Sequence, residues 1–251
     1  MPNPRHVLLD LSDRRRVLTA TDPHGHFDKL QKALDAVGFD GVLDALILNG
    51  DIVDRGPDSA AFEKWIARPG VHRTVGNHDV AMRDFLDDRV DNGIMKLMGA
   101  EWFLKLERPE QRRVASLLEA APHVITCLSP GGRRIGFVHA DCTKDWQDTI
   151  SLLDHEMRSR RDWASDFTLQ SRETIKAVRD PDTLAEMGID ADSRATVAGI
   201  DHVFHGHSRV AAPFTRGNRT WFDTDACDDG PITVLDVDSW LDGIKRRSIA
   251  T

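Results

Sequence analysis

The sequence predicts an α/β protein in which two mixed β-sheets pack as a sandwich flanked by helices. Three observations predict it. After two opening strands, the first 75 residues alternate helical stretches with short apolar runs, which is the rhythm of parallel sheets crossed by helices. Four further strand-like pieces crowd the last quarter of the chain, at residues 202–205, 211–215, 220–223 and 232–236, enough for a second sheet. The length is 251 residues, 40% hydrophobic and 29% charged, so the chain can bury a core without disulfides or a structural metal. No repeat, low-complexity tract or Pro/Gly/Ser linker divides it, and a single domain over residues 1–251 is expected.

In order, residues 6–11 and 16–20 read as apolar strands about the polar turn Ser12-Asp13-Arg14-Arg15. Residues 27–37 read as a helix, because Leu30, Leu34 and Val37 recur at i, i+4 and i+7. Residues 43–48 form an apolar run of strand length, 59–67 a helical pattern, and 71–75 another strand. From Val80 to about Ala121 the apolar positions, Phe85 and Leu118 among them, supply helical faces. Residues 124–128 and 134–139 read as strands joined at a Ser-Pro-Gly-Gly turn. Residues 144–186 are polar, helix plus loops, and Gly217-Asn218 marks a hairpin. The helical segments 80–121 and 144–190 are expected to shape the substrate cleft.

Composition narrows the function classes. Lys+Arg is 33 against 41 Asp+Glu, a net charge of −8, the opposite of a protein built to grip a nucleic-acid backbone. No apolar run approaches the ~18–20 residues of a membrane span, and the early run at residues 7–9 stops at Asp10, unlike a signal peptide. Cys127, Cys142 and Cys227 are scattered with no C-x-x-C pair, which suits reduced thiols and a cytoplasmic location; Cys142 reads as a packing residue.

Polar residues cluster where the strand-like runs end: Asp22-Pro23-His24-Gly25-His26, Gly50-Asp51-Ile52-Val53-Asp54-Arg55-Gly56, Gly76-Asn77-His78-Asp79, Val138-His139-Ala140-Asp141 and His205-Gly206-His207-Ser208. Each is unremarkable alone. An Asp-x-His is usually a turn, Asp54-Arg55 can be a surface ion pair, and a strand-end His is usually structural. Their conjunction is not ordinary. Ligands gather at the carboxyl ends of strands in open α/β sheets, so these side chains would converge on one edge. Mixed carboxylate, amide and imidazole donors suit Mn, Fe or Zn rather than a structural zinc site, and a pair of such ions is a standard device for phosphoester hydrolysis.

The ordered motifs from Asp22 to about Asp225 resemble the metallophosphoesterases, and within them the phosphoprotein phosphatases of the compact bacterial and phage type. Gly-Asp-x-x-Asp-Arg-Gly, here at Gly50 to Gly56, is the most specific element. The resemblance implies that Asp22, His24 and Asp51 hold one metal ion, and that Asp51 bridges to a second completed by Asn77, His139 and His207. His205 is the alternative for the last ligand, set aside because the family pattern is Gly-His followed by Thr or Ser. The ions implied are two divalent cations, Mn(II) first, with Fe, Zn or Ni as alternatives. Arg55 and a second arginine, Arg172 in Thr168-Leu169-Gln170-Ser171-Arg172-Glu173, would grip the phosphate with Asn77; Arg158, Arg160 and Arg161 compete for the second place. His78 would donate a proton to the leaving group, with Asp54 beside it keeping the imidazole charged, and a metal-bridging hydroxide would be the nucleophile.

The implied activity is hydrolysis of a phosphomonoester, with phosphoserine and phosphothreonine in proteins as substrates. A dinucleoside polyphosphate hydrolase is the nearest rival; that group commonly lacks the aspartate that stands here as Asp54. A non-catalytic phosphate-binding protein is the remaining alternative. Partners are therefore a phosphorylated protein or a small phosphoester, with neither nucleic acid nor membrane expected. The sequence departs from the family at Asp79, where Glu is usual, at Thr21, and at Asp225 after Asp223-Thr224. It contains no Tyr, unlike eukaryotic relatives that place one near the metals.

Overall fold

A computed structural model describes residues 5–159 and 163–249. Ten strands form two sheets: β1 (His6–Asp10), β2 (Val17–Ala20), β3 (Ala45–Asn49), β4 (Val71–Thr74), β5 (Val124–Leu128), β6 (Arg134–Val138), β7 (His202–Arg209), β8 (Phe214–Arg216), β9 (Arg219–Asp223) and β10 (Leu235–Asp236). The larger sheet has the order β1-β5-β6-β7-β9-β8 and the smaller β10-β2-β3-β4. Both are mixed. Within the smaller, β2, β3 and β4 run parallel and β10 antiparallel.

Two-residue periodicity builds the layers. Val17, Ala45 and Ile47 face Ile125, Phe137, Phe204 and Phe222 across the interior between the sheets. The alternate residues Leu18, Ala20, Leu46 and Leu48 face outward against Phe27, Leu30 and Leu34 of helix Phe27–Ala36. On the far face of the larger sheet, Val124, Val138 and Val203 pack against Trp146, Ile150 and Leu153 of helix Trp146–Ser159. Strands buried on both faces explain why runs such as residues 45–48 are continuously apolar instead of alternating.

The structure revises four expectations. The first two strands, read as flanking a polar turn, do not pair with each other: β1 pairs with β5 and β2 with β3, so the turn carries the chain from one sheet to the other. The third helix starts at Asn77, not near residue 80, because Asp79 accepts the Gly76 N–H at 2.9 Å and closes its first turn. β7 continues to Arg209, so His205 and His207 lie inside a strand whose register breaks between His205 and Arg209. The last strand shrinks to two residues, followed by an unexpected helix, Val237–Ile249; Val237, Trp240, Leu241 and Ile244 had carried its spacing and close one end of the inter-sheet core.

The crossover between the sheets is anchored electrostatically. The fully buried Asp44 carboxylate receives Arg15 at 2.6 and 2.7 Å, Arg16 at 3.2 Å and the Asp40 N–H at 3.0 Å. Burial opposes that charge, but the two arginines outweigh it and hold its pKa below the usual carboxylate range. Such a group contributes stability that is complete above the unfolded-state pKa of about 3.9 and is lost as pH falls toward its folded value. Asp44→Asn is expected to cost roughly 1.5–3 kcal/mol in urea denaturation at pH 7, with the gap to wild type closing below about pH 4. An equal gap at pH 7 and pH 3 would contradict this account.

Candidate metal centre

The predicted residues meet at one edge, beyond the carboxyl ends of β2, β3, β4 and β6 and beside β7, where parallel strands present backbone turns to a ligand. Asp22, His24, Asp51, Asn77, His78 and His207 line a single cavity of about 310 Å³ together with Arg55, Arg172, Arg209, Gln170, Asp223 and Cys227. Six of these motif positions hold a left-handed backbone: Asp22 (φ 50°), His24 (44°), Asp51 (49°), Asp54 (75°), Arg55 (61°) and His207 (60°). Asp and His tolerate this region better than most residues, and its concentration here marks a site where tertiary packing holds the chain against its local preference.

Asp51 is the hub. Its Oδ2 lies 3.3 Å from His139 Nε2, 3.6 Å from His24 Nε2 and 4.0 Å from His78 Nε2, while Oδ1 accepts the His78 N–H at 2.9 Å. Two overlapping donor groups result, His24–Asp51–His78 and Asp51–His139–His207, each with ligand atoms within 4.8 Å of one another. Asn77 Oδ1 stands 3.1 Å from His139 Nε2. Three imidazoles are fixed by backbone carbonyls, which leave the other ring nitrogen facing the site. His24 Nδ1 donates to Val53 O (2.9 Å), His139 Nδ1 to Asn49 O (3.0 Å) and His207 Nε2 to Gln170 O (3.1 Å). Asp22 stands outside both groups of three; its carboxylate accepts the His207 N–H at 3.0 Å and the Thr21 hydroxyl.

His205 goes elsewhere. It donates to Ala140 O at 3.0 Å and stacks on Trp221, so His207 is the histidine of β7 that joins Asp51 and His139. Asp141 is also structural: it binds Arg219 at 2.8 Å and the Thr174 N–H at 3.1 Å. Cys142 is buried, with its pKa pushed up to about 12 by burial, as befits a packing residue. Arg172 lines the cavity and donates to His207 O at 3.1 Å. Of its competitors, Arg160 and Arg161 lie outside the described residues, as does the Arg158 side chain.

The donor set fits a cation. Asp22, Asp51 and Asp223 are buried close enough to perturb one another. Burial, and then the neighbouring Asp223, drive the Asp22 pKa well above the usual range. Burial alone would keep His139 neutral, yet Asp51 and Asp22 push its pKa up to about 10. His24 and His207, with burial dominant, fall to about 3 and remain neutral, the form in which an imidazole can hold a metal. Packed carboxylates that force charge onto a buried imidazole have the electrostatics of a cation site. Space agrees: a Cβ at Gly76 would collide with the Asp51 carboxylate, and one at Gly206 with Asp22 and Thr21. The motif glycines are required by close approach of the ligands.

Beside the donors, His78 Nδ1 donates to Asp54 Oδ2 at 2.9 Å, and Trp102 Nε1 donates to Asp54 Oδ1 at 2.9 Å. Burial opposes charge on His78, but Asp51 and then Asp54 hold its pKa above the ordinary value; burial also raises that of Asp54. Arg55 NH2 lies 3.4 Å from His78 Nε2. Sequence reasoning missed several contributors. Asp79 ties two ligand loops together, accepting from Ile52 N at 3.1 Å and Gly76 N at 2.9 Å. Asn49 ties β3 to the other sheet through Val138 O and Phe204 O, both at 3.0 Å. Trp102 carried no local signal, since its partner is 48 residues away; Arg209 and Cys227 were likewise unmarked.

A two-sheet α/β sandwich with a buried Asp/His/Asn cluster under an arginine-lined cavity defines a metallohydrolase for phosphoesters. The chain belongs to the calcineurin-like phosphoesterases, the family that residues 15–228 match. Among similar proteins, a serine/threonine-protein phosphatase 2 from Escherichia coli (strain K12) is 29% identical over 145 residues, 56% of this chain and 65% of the relative. A serine/threonine-protein phosphatase 1 from Salmonella typhimurium is 25% identical over 243 residues, 94% of this chain and 98% of the relative. A symmetrical bis(5'-nucleosyl)-tetraphosphatase from Baumannia cicadellinicola is 46% identical over 134 residues, 52% of this chain and 44% of that protein. The crystal structure of a putative diadenosine tetraphosphatase superposes with a TM-score of 0.61 at 18% identity, covering 92% of both chains, which shows the shared fold.

Proposed function

We propose that this phosphoesterase removes phosphate from phosphoserine and phosphothreonine in proteins. One observation carries the reading: His78 lines a small polar cavity between the Asp51-centred donors and Arg55, backed by the buried Asp54 carboxylate. Asp22, His24 and Asp51 are assigned to one divalent ion, and Asp51, Asn77, His139 and His207 to a second, with Mn(II) proposed for a mixed oxygen and imidazole donor set. When bound, the ions polarise the phosphoryl group and lower the pKa of the attacking water.

The chain's own side chains do the rest. Arg55 and Arg172 orient the phosphate from the cavity wall, and the Asn77 amide is placed to help them. His78, kept protonated by Asp51 and Asp54, delivers a proton from Nε2 to the departing alkoxide. Asp54 holds the ring through Nδ1 and is itself held by Trp102. Cys127 and Cys142 are buried thiols and all three cysteines are free, which supports the proposed cytoplasmic setting.

Trp102→Phe tests the positioning chain. Losing one neutral donor leaves the Asp54 carboxylate, and the ring it holds, less firmly positioned, so kcat should fall about 3–10-fold. Freed of a donor that shares its charge, the carboxylate holds the imidazolium more strongly, so the His78 pKa should rise and the alkaline limb of the kcat profile should shift to higher pH. A lowered kcat with an unmoved limb would place the effect elsewhere.

The rival substrate class is a dinucleoside polyphosphate, favoured by the relative at 46% identity. Against it stands Asp54, paired with His78 at 2.9 Å, at a position where that class of hydrolase commonly lacks an aspartate. The deciding experiment is kcat/KM with Mn(II) for a phosphothreonine peptide against diadenosine tetraphosphate, with a chelator control. A chelator-sensitive preference for the peptide supports the proposal; preference for the dinucleotide transfers it to the rival.

A further inference from the structure

We propose that the free edge of β1 is a homodimer interface, where two copies pair antiparallel and continue the six-stranded sheet into a twelve-stranded one. β1 ends the sheet order, and among the described residues no strand pairs with its outer side. Edge strands usually discourage pairing with Lys, Pro or a bulge, and this one, His-Val-Leu-Leu-Asp, has none of them. Leu8, at its centre, is 69% exposed. On the other face of the strand, Val7 and Leu9 border an open apolar groove of about 290 Å³ that Ile66, Leu117, Ala120 and Pro122 also line.

The strand's own sequence selects the occupant. Paired antiparallel about Leu8, it sets Leu8 against Leu8, Val7 against Leu9, and His6 against Asp10, and by symmetry the same contacts recur with the copies exchanged. The apolar positions meet apolar ones, and the His6 imidazole, which burial keeps from charging, faces the Asp10 carboxylate twice as a polar pair. Asp10 is exposed and anchored by Ser12 at 2.6 Å, while His6 is fixed by Thr126 Oγ1 at 2.9 Å, so both are held at the strand ends. Val7 and Leu9 of the second copy lie on the groove side of the joined sheet, since odd positions share a face. A second copy therefore satisfies the backbone edge, the groove and the polar strand ends together.

Sedimentation velocity on the full chain from 1 to 100 µM tests this, read beside kcat/KM for p-nitrophenyl phosphate and far-UV circular dichroism. Wild type should sediment as a dimer, and Leu8→Lys as a monomer with unchanged spectrum and unchanged kcat/KM. Asp10→His and His6→Asp should each weaken the dimer about 2–30-fold by setting like groups opposite, and the double variant should recover wild-type Kd. A monomeric wild type at 100 µM overturns the proposal, and so does a dimer indifferent to Leu8→Lys, which would use another surface. Failed recovery in the double variant would overturn the antiparallel register.

Discussion

His78→Asn should lower kcat by about 10²–10⁴ while leaving the metal content of the purified protein unchanged. The asparagine keeps a side chain of similar reach but has no proton to give. The loss should depend on the leaving group. p-Nitrophenolate departs without protonation, so its phosphate ester should lose far less than phosphothreonine, whose alkoxide needs the proton. The wild-type rate should decline on the alkaline side as the imidazolium titrates. Because Asp51 and Asp54 hold the His78 pKa above its ordinary value, that decline lies at higher pH than a free histidine would give, and it should vanish in the variant. Equal losses on both substrates, or falling metal content, would move His78 from proton donor to ligand; its Nε2 is 4.0 Å from Asp51 Oδ2, so the measurement is needed.

Asp51→Asn should have the larger effect. The carboxylate is shared by both donor groups and lies within 4.0 Å of three imidazoles, so one amide substitution weakens both proposed ion sites at once. Turnover should fall at least about 10³-fold, since the loss of Lewis acid and activated water together is worth several kcal/mol. A readout independent of turnover is available. Mn(II) added to chelator-stripped wild type should raise Tm through binding to the native state, and the variant should show little or no rise at the same concentration. The apo variant should unfold cooperatively, because the Asn side chain can still accept the His78 N–H. An undiminished Mn(II) shift would show that Asp51 is not the shared ligand.

Much of this centre was legible because the family motifs are local. Asp22/His24, Asp51/Asp54/Arg55 and Asn77/His78 each lie within a few residues, and strand ends followed by Gly announce where a sheet turns toward a ligand. The choice of His207 over His205 rested on its two neighbours, Gly206 and Ser208, and tertiary structure separates the two plainly: one ring joins Asp51, the other stacks on Trp221. Other contributors left no local trace. Trp102 reaches Asp54 from a short helix 48 residues away, Asn49 binds carbonyls 89 and 155 residues away, and Arg209 is held by Asp225 and Asp228 across a loop.

By itself the sequence determined the fold class, the order of most strands and which Asp, Asn and His residues gather at one edge. These follow from hydrophobic period and motif spacing, which act over a few residues. Only the tertiary structure decided which sheet each strand joins, that residues 6–10 and 17–20 part company across a polar turn, and how Asp51 comes to face three histidines. Those outcomes depend on burying both faces of β2 and β3 at once and on holding six site residues in left-handed backbone. Both are collective properties of the packed sandwich, and no short stretch of sequence carries them.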